Sequence, residues 1–380
     1  MAIGDSIQLQ VTDERYPHLC LNSEWTCETR HGCPDKEWDT FVASITGGHY
    51  SQSSVWAAAK ASLGWSSVRL VVNRNKHIIA GAQVLVREFL GSLRIAHVLQ
   101  GPVLASNDSA LFKFTLDHLI GLMHTRHIQY LALRPPCTCT FVEMLRQWGF
   151  QHGTILSSRR ATLVVDLSQD YLYLLHNMRR ATRSDIRLAE YRGVVIREGK
   201  ESDIPMFHEL MKSTGRRKHF SIPPASYFYD LWRSLYSSRN VKLFIAEYQG
   251  EPLAGLLTIL FGTTVVAKMH GWIGSKKWLN PNELLFWSAM KWSKENGFAS
   301  FDLDGIDETG ARALLGGKSL PSSVVRSGNR FKIGFGGSPV LFQPTFEYVP
   351  SRALALALRA SKVFGTTIVN KLSNRLIPWR

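Results

Sequence analysis

At 380 residues the chain suits two domains of ordinary size, each able to bury its own core. A hydrophobic share of 45% and an aromatic share of 11% exclude a largely disordered chain. The net charge of +15 is uneven: residues 1–160 hold fifteen Lys/Arg against twelve Asp/Glu, and residues 161–380 hold thirty against eighteen, so the second half is expected to meet a polyanion. No apolar run is long enough to span a bilayer, and Met1–Gln10 lacks a basic-then-apolar leader pattern, so a cytoplasmic chain is expected. Of the five cysteines, Cys20, Cys27 and Cys33 lie near His31 without paired C-x-x-C spacing, and Cys137-Thr-Cys139 follows Pro135-Pro136 in a loop; no metal site is expected.

Taken in order, Ile7–Val11 reads as a strand, Tyr16–Pro34 as a loop and Glu37–Ile45 as a helix. Ser51 or Ser53 caps a helix with Val55, Trp56, Ala59 and Leu63 on one face. Lys60 sits four residues after Trp56 and by itself reads as a solvated position. Val68–Asn73 and Ile78–Val86 form a hairpin, and Leu93–Leu99 is a strand ending at Gln100-Gly101-Pro102. A helix from Ser109 to Arg126, a strand Gln129–Leu133 ending at Arg134, and a short helix Phe141–Trp148 complete the first half.

A boundary near Ser157-Ser158 precedes the strand Ala161–Leu167 and a helix capped by Ser168. Next comes an amphipathic helix with Arg179, Arg180, Arg183, Arg187 and Arg192 against Asp185 and Glu190, a guanidinium-rich face suited to phosphate. After the strand Gly193–Arg197, a helix from Asp203 ends at Lys212, and Gly215 breaks it before Arg216-Arg217-Lys218-His219, cations suited to an anion pocket. Tyr227 and Trp232 fall in a helix from Ala225 to Leu235. Strands Lys242–Tyr248, Pro252–Leu260 and Thr264–His270 lead to a helix Glu283–Glu295, with Asn282 as N-cap and Gly297 as stop, and to the strand Ser300–Asp304. Ala311–Gly317 shows no clear pattern, and Lys332 lies among the glycines of Asn329–Gly337, where backbone can approach a ligand. Leu341–Tyr348 reads as a last strand. Arg352–Arg375 reads as a helix, in a tail from Ser351 with six cations and no acid that would suit an anionic membrane face or RNA.

Both halves thus run hairpin, helix, returning strand, and Ile79-Ala80-Gly81 echoes Leu253-Ala254-Gly255. The fold class this implies is α/β (α+β): two tandem GNAT-like acyltransferase domains with mixed, mostly antiparallel sheets flanked by helices, over residues 1–158 and 159–348, with a basic helical extension over 349–380. An acetyl-CoA enzyme of that fold holds pyrophosphate in a glycine-rich loop at the start of the helix after the third strand. Here that position reads Ser275-Lys-Lys-Trp-Leu-Asn-Pro-Asn282, with Trp278 and Pro281 where glycines are needed, so a different acyl donor and no cofactor are expected.

Tyr50-Ser-Gln-Ser-Ser-Val-Trp-Ala-Ala-Ala-Lys60, Gly101-Pro102, Thr162–Leu167, Met178–Arg187, Thr214-Gly-Arg-Arg217, Phe301-Asp-Leu-Asp-Gly-Ile306 and Phe331-Lys-Ile-Gly-Phe-Gly336 occur in the order seen in the FemABX family, which this chain resembles from residue 49 to 337. The resemblance implies an aminoacyltransferase that moves an amino acid from aminoacyl-tRNA to an amine of a peptidoglycan precursor or related peptide. It implies that Lys60 and Arg217 bind acceptor phosphates, with Trp56, Arg216 and Tyr227 beside them, and that Lys332 steadies the transition state or the tRNA end. Arg179, Arg180, Arg183 and Arg187 are the expected RNA contacts, and Asp302 or Asp304 the expected base. Pro135-Pro136 stands where the family commonly has Asp-Pro, which loses a carboxylate near the acceptor. The rival readings are an acyltransferase with a CoA or carrier-bound donor, and a non-catalytic RNA- or lipid-binding protein.

Overall fold

A computed structural model of the protein describes residues 24–89, 93–153 and 160–356, which fall into two compact units. The expected strand Ile7–Val11, Cys20, and nearly all of the expected helix Arg352–Arg375 lie outside the described residues. Among the described residues no helix is long and apolar enough to cross a membrane.

The first unit runs β1 (Trp25–Arg30), α1 (Lys36–Ser44), α2 (Ser54–Ala61), β2 (Ser66–Arg74), β3 (His77–Phe89), β4 (Leu93–Leu99), β5 (Val103–Leu104), α3 (Ser109–Thr125), β6 (Tyr130–Arg134), α4 (Met144–Gln147) and β7 (Gln151–His152). Ser53 caps α2, its hydroxyl accepting from Trp56 N–H at 3.2 Å, as its sequence position predicts. The β2–β3 hairpin turns on Asn75 and Lys76, both at positive φ, as a two-residue type I′ turn requires. One sheet face carries Leu70, Val84, Ala96, Val98, Leu131 and Leu133 against Phe112, Leu116 and Leu119 of α3. The other carries Leu85, Ile95, Tyr130 and Ala132, which pack with Ala57 of α2 and Trp65.

The second unit runs β8 (Ala161–Asp166), α5 (Tyr171–Asn177), α6 (Arg180–Tyr191), β9 (Val195–Glu198), α7 (Ile204–Lys218), α8 (Ala225–Tyr236), β10 (Val241–Tyr248), β11 (Glu251–Phe261), β12 (Thr264–Trp272), α9 (Pro281–Glu295), β13 (Ser300–Asp302), α10 (Glu308–Leu315), α11 (Ser322–Val325), α12 (Asn329–Ile333) and β14 (Ser338–Leu341). Its sheet has the order β14-β8-β13-β12-β11-β10-β9, antiparallel except for the β12–β13 pair. Gln249 and Gly250, again at positive φ, close the β10–β11 hairpin. The Ala-Gly echo has a packing cause. A Cβ at Gly81 would lie 2.7 Å from Trp38 of α1, and one at Gly255 would lie 2.7 Å from Phe207 of α7, so in each unit the glycine lets a helix lie directly on the sheet.

Several sequence expectations change. The loop expected over Tyr16–Pro34 holds β1, and Asn280 rather than Asn282 takes the N-cap position of α9, which starts at Pro281. The helix from residue 204 does not stop at Lys212 but runs through Gly215 to Lys218, because a glycine there leaves room for Phe220 O and Ile222. Asp170, not Ser168, caps α5, accepting from Tyr173 N–H at 2.7 Å. Ala311–Gly317 lies largely within α10, capped by Asp307. The single strand expected over Leu341–Tyr348 is two: β14 stays in the second sheet, while β15 (Phe346–Tyr348) joins the first, between β6 and β7. Pro344, which has no N–H to give a ladder, falls between them. Among the described residues the first unit therefore takes in the chain up to residue 153 and again from Gln343, so a boundary at 348 misplaces β15.

Candidate functional site

The site in the second unit forms where two parallel strands part. β12 and β13 pair at Thr264↔Ser300, Val265↔Phe301 and Val266↔Asp302 only. Beyond these, β12 stays with β11, while Leu303 N–H turns to Leu163 O at 2.9 Å, and a V opens between the two paths. Lys268 reaches across to Asp304, Nζ to Oδ2, at 3.8 Å.

Asp304 has φ +54°, in the left-handed region that non-glycine residues rarely adopt. Its N–H donates to Asp302 Oδ1 at 2.8 Å, the Thr162 hydroxyl donates to the same oxygen, and Gly305 N–H donates to Asp304 Oδ1 at 3.0 Å. This turn presents the carbonyls of Asp304 and Gly305 to Lys332 Nζ, at 2.6 and 3.0 Å. Burial, then the neighbouring Asp304 charge, pushes the Asp302 carboxyl up to about 6. With Oδ1 given to two donors and the side chain buried, Asp302 serves the turn. Asp304 is the carboxylate nearer the opening.

Above the V, His270 is half-buried with Nε2 2.8 Å from Asn282 Oδ1, and its ring lies parallel to Phe331 of α12 at 6.1 Å. Burial, together with the charges of Lys218, Lys332 and Arg217, lowers it to about 4, against the opposing pull of the Asn282 hydrogen bond. The charges of three cations therefore act on one imidazole. Arg217 is fixed by Ser213 Oγ at 2.8 Å and Trp272 O at 2.6 Å, with its guanidinium 4.7 Å from the Trp272 ring centroid. Gly274 leaves the space that the guanidinium fills.

The expected residues divide accordingly. Lys332, Asp302, Asp304 and Arg217 come together in this unit. Arg216 is exposed on the last turn of α7, within the field of Glu209. Tyr227 is buried on α8 with its ring against Phe228, so as placed it packs the core. The Arg183 guanidinium donates to Leu175 O and His176 O, both at 3.1 Å, and to Met178 O, so it caps the end of α5. Arg179, Arg180 and Arg187 are exposed. The glycines after Lys332 also have a different reason from the one expected: a Cβ at Gly336 would lie 2.8 Å from Asn177 O, and one at Gly337 2.7 Å from Val164 O, so they allow close packing within the unit. In the first unit Lys60 Nζ lies 4.5 Å over the ring of Trp56, which is itself buried and acts as a platform for the cation. Sequence reading passed over Lys268 and His270, although two polar side chains at alternate positions of an otherwise apolar strand were the available signal.

The start of α9 is unlike a pyrophosphate cradle. Pro281 occupies its first turn and has no N–H, and Glu283, its carboxyl raised chiefly by burial, places an acid there. Trp278 stands before it under Arg192, 5.3 Å from ring centroid to guanidinium.

Two sheets, each with a hairpin, a crossover helix and a parallel return strand, define a tandem GNAT-like acyltransferase fold. The chain belongs to the FemAB family, whose model matches residues 33–250. It is similar to the lipid II:glycine glycyltransferase of Staphylococcus epidermidis, 24% identical over 231 residues that cover 58% of this chain and 56% of the relative. The same-named protein of Staphylococcus aureus (strain MRSA252) is 24% identical over 225 residues, covering 56% and 53%. The chain thus spans about half the length of the curated relatives it matches. Among solved structures it is similar to that titled FemX, with a TM-score of 0.75 and 18% identity over 87% of this chain and 99% of that one. A tandem GNAT protein from the clavulanic acid biosynthesis pathway matches with a TM-score of 0.51 and 10% identity, over 86% and 100%. At these identities the likeness to solved structures establishes the fold.

Proposed function

We propose that this protein is an aminoacyltransferase that moves an amino acid from aminoacyl-tRNA to an amine of a peptidoglycan precursor or a related peptide. The observation that carries the reading is the V of the second unit, where Lys332, Lys218 and Arg217 gather while the start of α9 offers Pro281 and Glu283 to a nucleotide thioester. Family membership and relatives named as lipid II:glycine glycyltransferases support the donor and acceptor classes. Use of charged tRNA would put the reaction in the cytoplasm, with the cationic segment 351–380 as the contact with an anionic membrane face.

The aminoacyl ester is already activated, so catalysis is mainly orientation and charge stabilisation. The acceptor amine attacks the ester carbonyl carbon, the carbonyl oxygen becomes an oxyanion, and the ribose oxygen leaves with a proton. Lys332, held by the carbonyls of Asp304 and Gly305, stabilises that oxyanion. Asp304 takes the proton from the attacking amine and returns it to the departing ribose oxygen. Arg217 and Lys60 bind phosphates of the substrates, and Arg179, Arg180 and Arg187 contact RNA.

The test is transfer from labelled aminoacyl-tRNAs, supplied one at a time, to a muropeptide acceptor, with acetyl-CoA as the competing donor. Labelled aminoacyl product without CoA is expected. Acetyl transfer with no aminoacyl transfer overturns the reading, and tRNA binding with no transfer of either group makes the protein a binder. Lys332→Ala should lower transfer by about 100-fold or more while tRNA affinity changes little; an active variant removes Lys332 from the mechanism.

A further inference from the structure

β3 and β4 pair from Phe89↔Leu93 to Leu85↔His97 and then part. The side chain of Gln52 fills the gap: its Oε1 accepts from Gln83 N–H at 2.8 Å, and its Nε2 donates to Leu99 O at 2.6 Å. His97 is therefore the last residue of β4 paired with β3, at the edge of this opening. It is 8% exposed, and its Nε2 is buried with no hydrogen-bond partner. On its other side it pairs with Ala132, and Arg134 follows two residues later on the same face of β6. Ala57 of α2 packs on this face, one turn before Lys60. Burial first, then the charges of Arg134 and Lys60, hold the imidazole down to about 3. Glu347 lies opposite Ala132 on β15.

A buried ring nitrogen without a partner destabilises the fold unless something bonds to it, so such groups in a native protein call for a ligand or a water. A neutral imidazole between two cations can donate Nε2–H, while the cations supply the charge that an anion needs. We propose that His97, Lys60 and Arg134 form an oxyanion subsite in the first unit, with Nε2–H of His97 as the directional donor, and that it takes a phosphate or carboxylate oxygen of the acceptor. Assigning the oxyanion to the acceptor rests on the proposed function; the subsite itself does not.

Two probes distinguish the sources: inorganic pyrophosphate, and an N-acetylated pentapeptide with a free C-terminal carboxylate, each titrated into the full chain by calorimetry. One of them should bind and shift the ¹⁵N resonance of His97 Nε2. His97→Phe should weaken that binding by about tenfold, and His97→Gln, which can still donate, should restore most of it. Failure of both probes to move the His97 resonance overturns the subsite. Equal affinity for wild type, His97→Phe and His97→Gln does so too, and if His97→Phe does not fold, the resonance and His97→Gln still decide. Failure of aminoacyl transfer would sink the proposed function and leave this binding result standing.

Discussion

Asp302 and His270 share the environment of Lys332, yet their protonation affects stability in opposite directions. Asp302 titrates near 6 in the folded protein against 3.8 when free, so between those values only the folded form holds the proton, and stability falls as pH rises through that window. Asp302→Asn keeps an acceptor oxygen for Asp304 N–H and Thr162 and removes the charge. Its melting temperature should gain on wild type as pH rises from 4 to 6 and be no lower than wild type at pH 7. Transfer by this variant should fall less than about tenfold, because a lost general base costs 10²-fold or more. A loss of that larger size in a folded variant would return Asp302 to the role of base. His270 runs the other way. Its pKa is lowered from 6.5 to about 4, so unfolded chains take up a proton that the folded form refuses, and stability falls as pH drops through that window. His270→Gln should gain on wild type in melting temperature as pH falls from 6.5 to 4.

At the scale of elements, the loop after α12 shows how far a sequence carries. Gly336 has φ +79° and a Cβ there would sit 2.8 Å from Asn177 O, so Gly336→Ala should cost roughly 1–3 kcal/mol in chemical denaturation. It should also disturb Lys332, four residues earlier. The sequence placed three glycines beside that lysine but could not say what approached them, because a ligand and a neighbouring α5–α6 turn ask the same of a backbone. The hairpins and crossover helices were legible from alternation, turn residues and helical periodicity, all local signals. The end of α7 was not, since a mid-helix glycine is a breaker by propensity and only Ile222 and Phe220, folded back on it, give the reason it stays helical. Likewise the arginine series looked uniform until the carbonyls at the end of α5 claimed Arg183.

For the molecule as a whole, the +15 charge predicts that binding of the proposed RNA partner depends on salt. Neutralising Arg179, Arg180 and Arg187 together should reduce the slope of log affinity against log salt by about 2–3, the share of three phosphate contacts. An unchanged slope would place the RNA elsewhere. The strand β15 bears on how the protein is made as well as on its final form. Phe346–Tyr348 lies between β6 and β7, so the first sheet is incomplete until the ribosome has passed residue 348, long after the rest of that sheet has emerged. A fragment ending at 158 should be aggregation-prone along the open side of β6, and a synthetic peptide spanning 343–356, added in trans, should rescue its solubility.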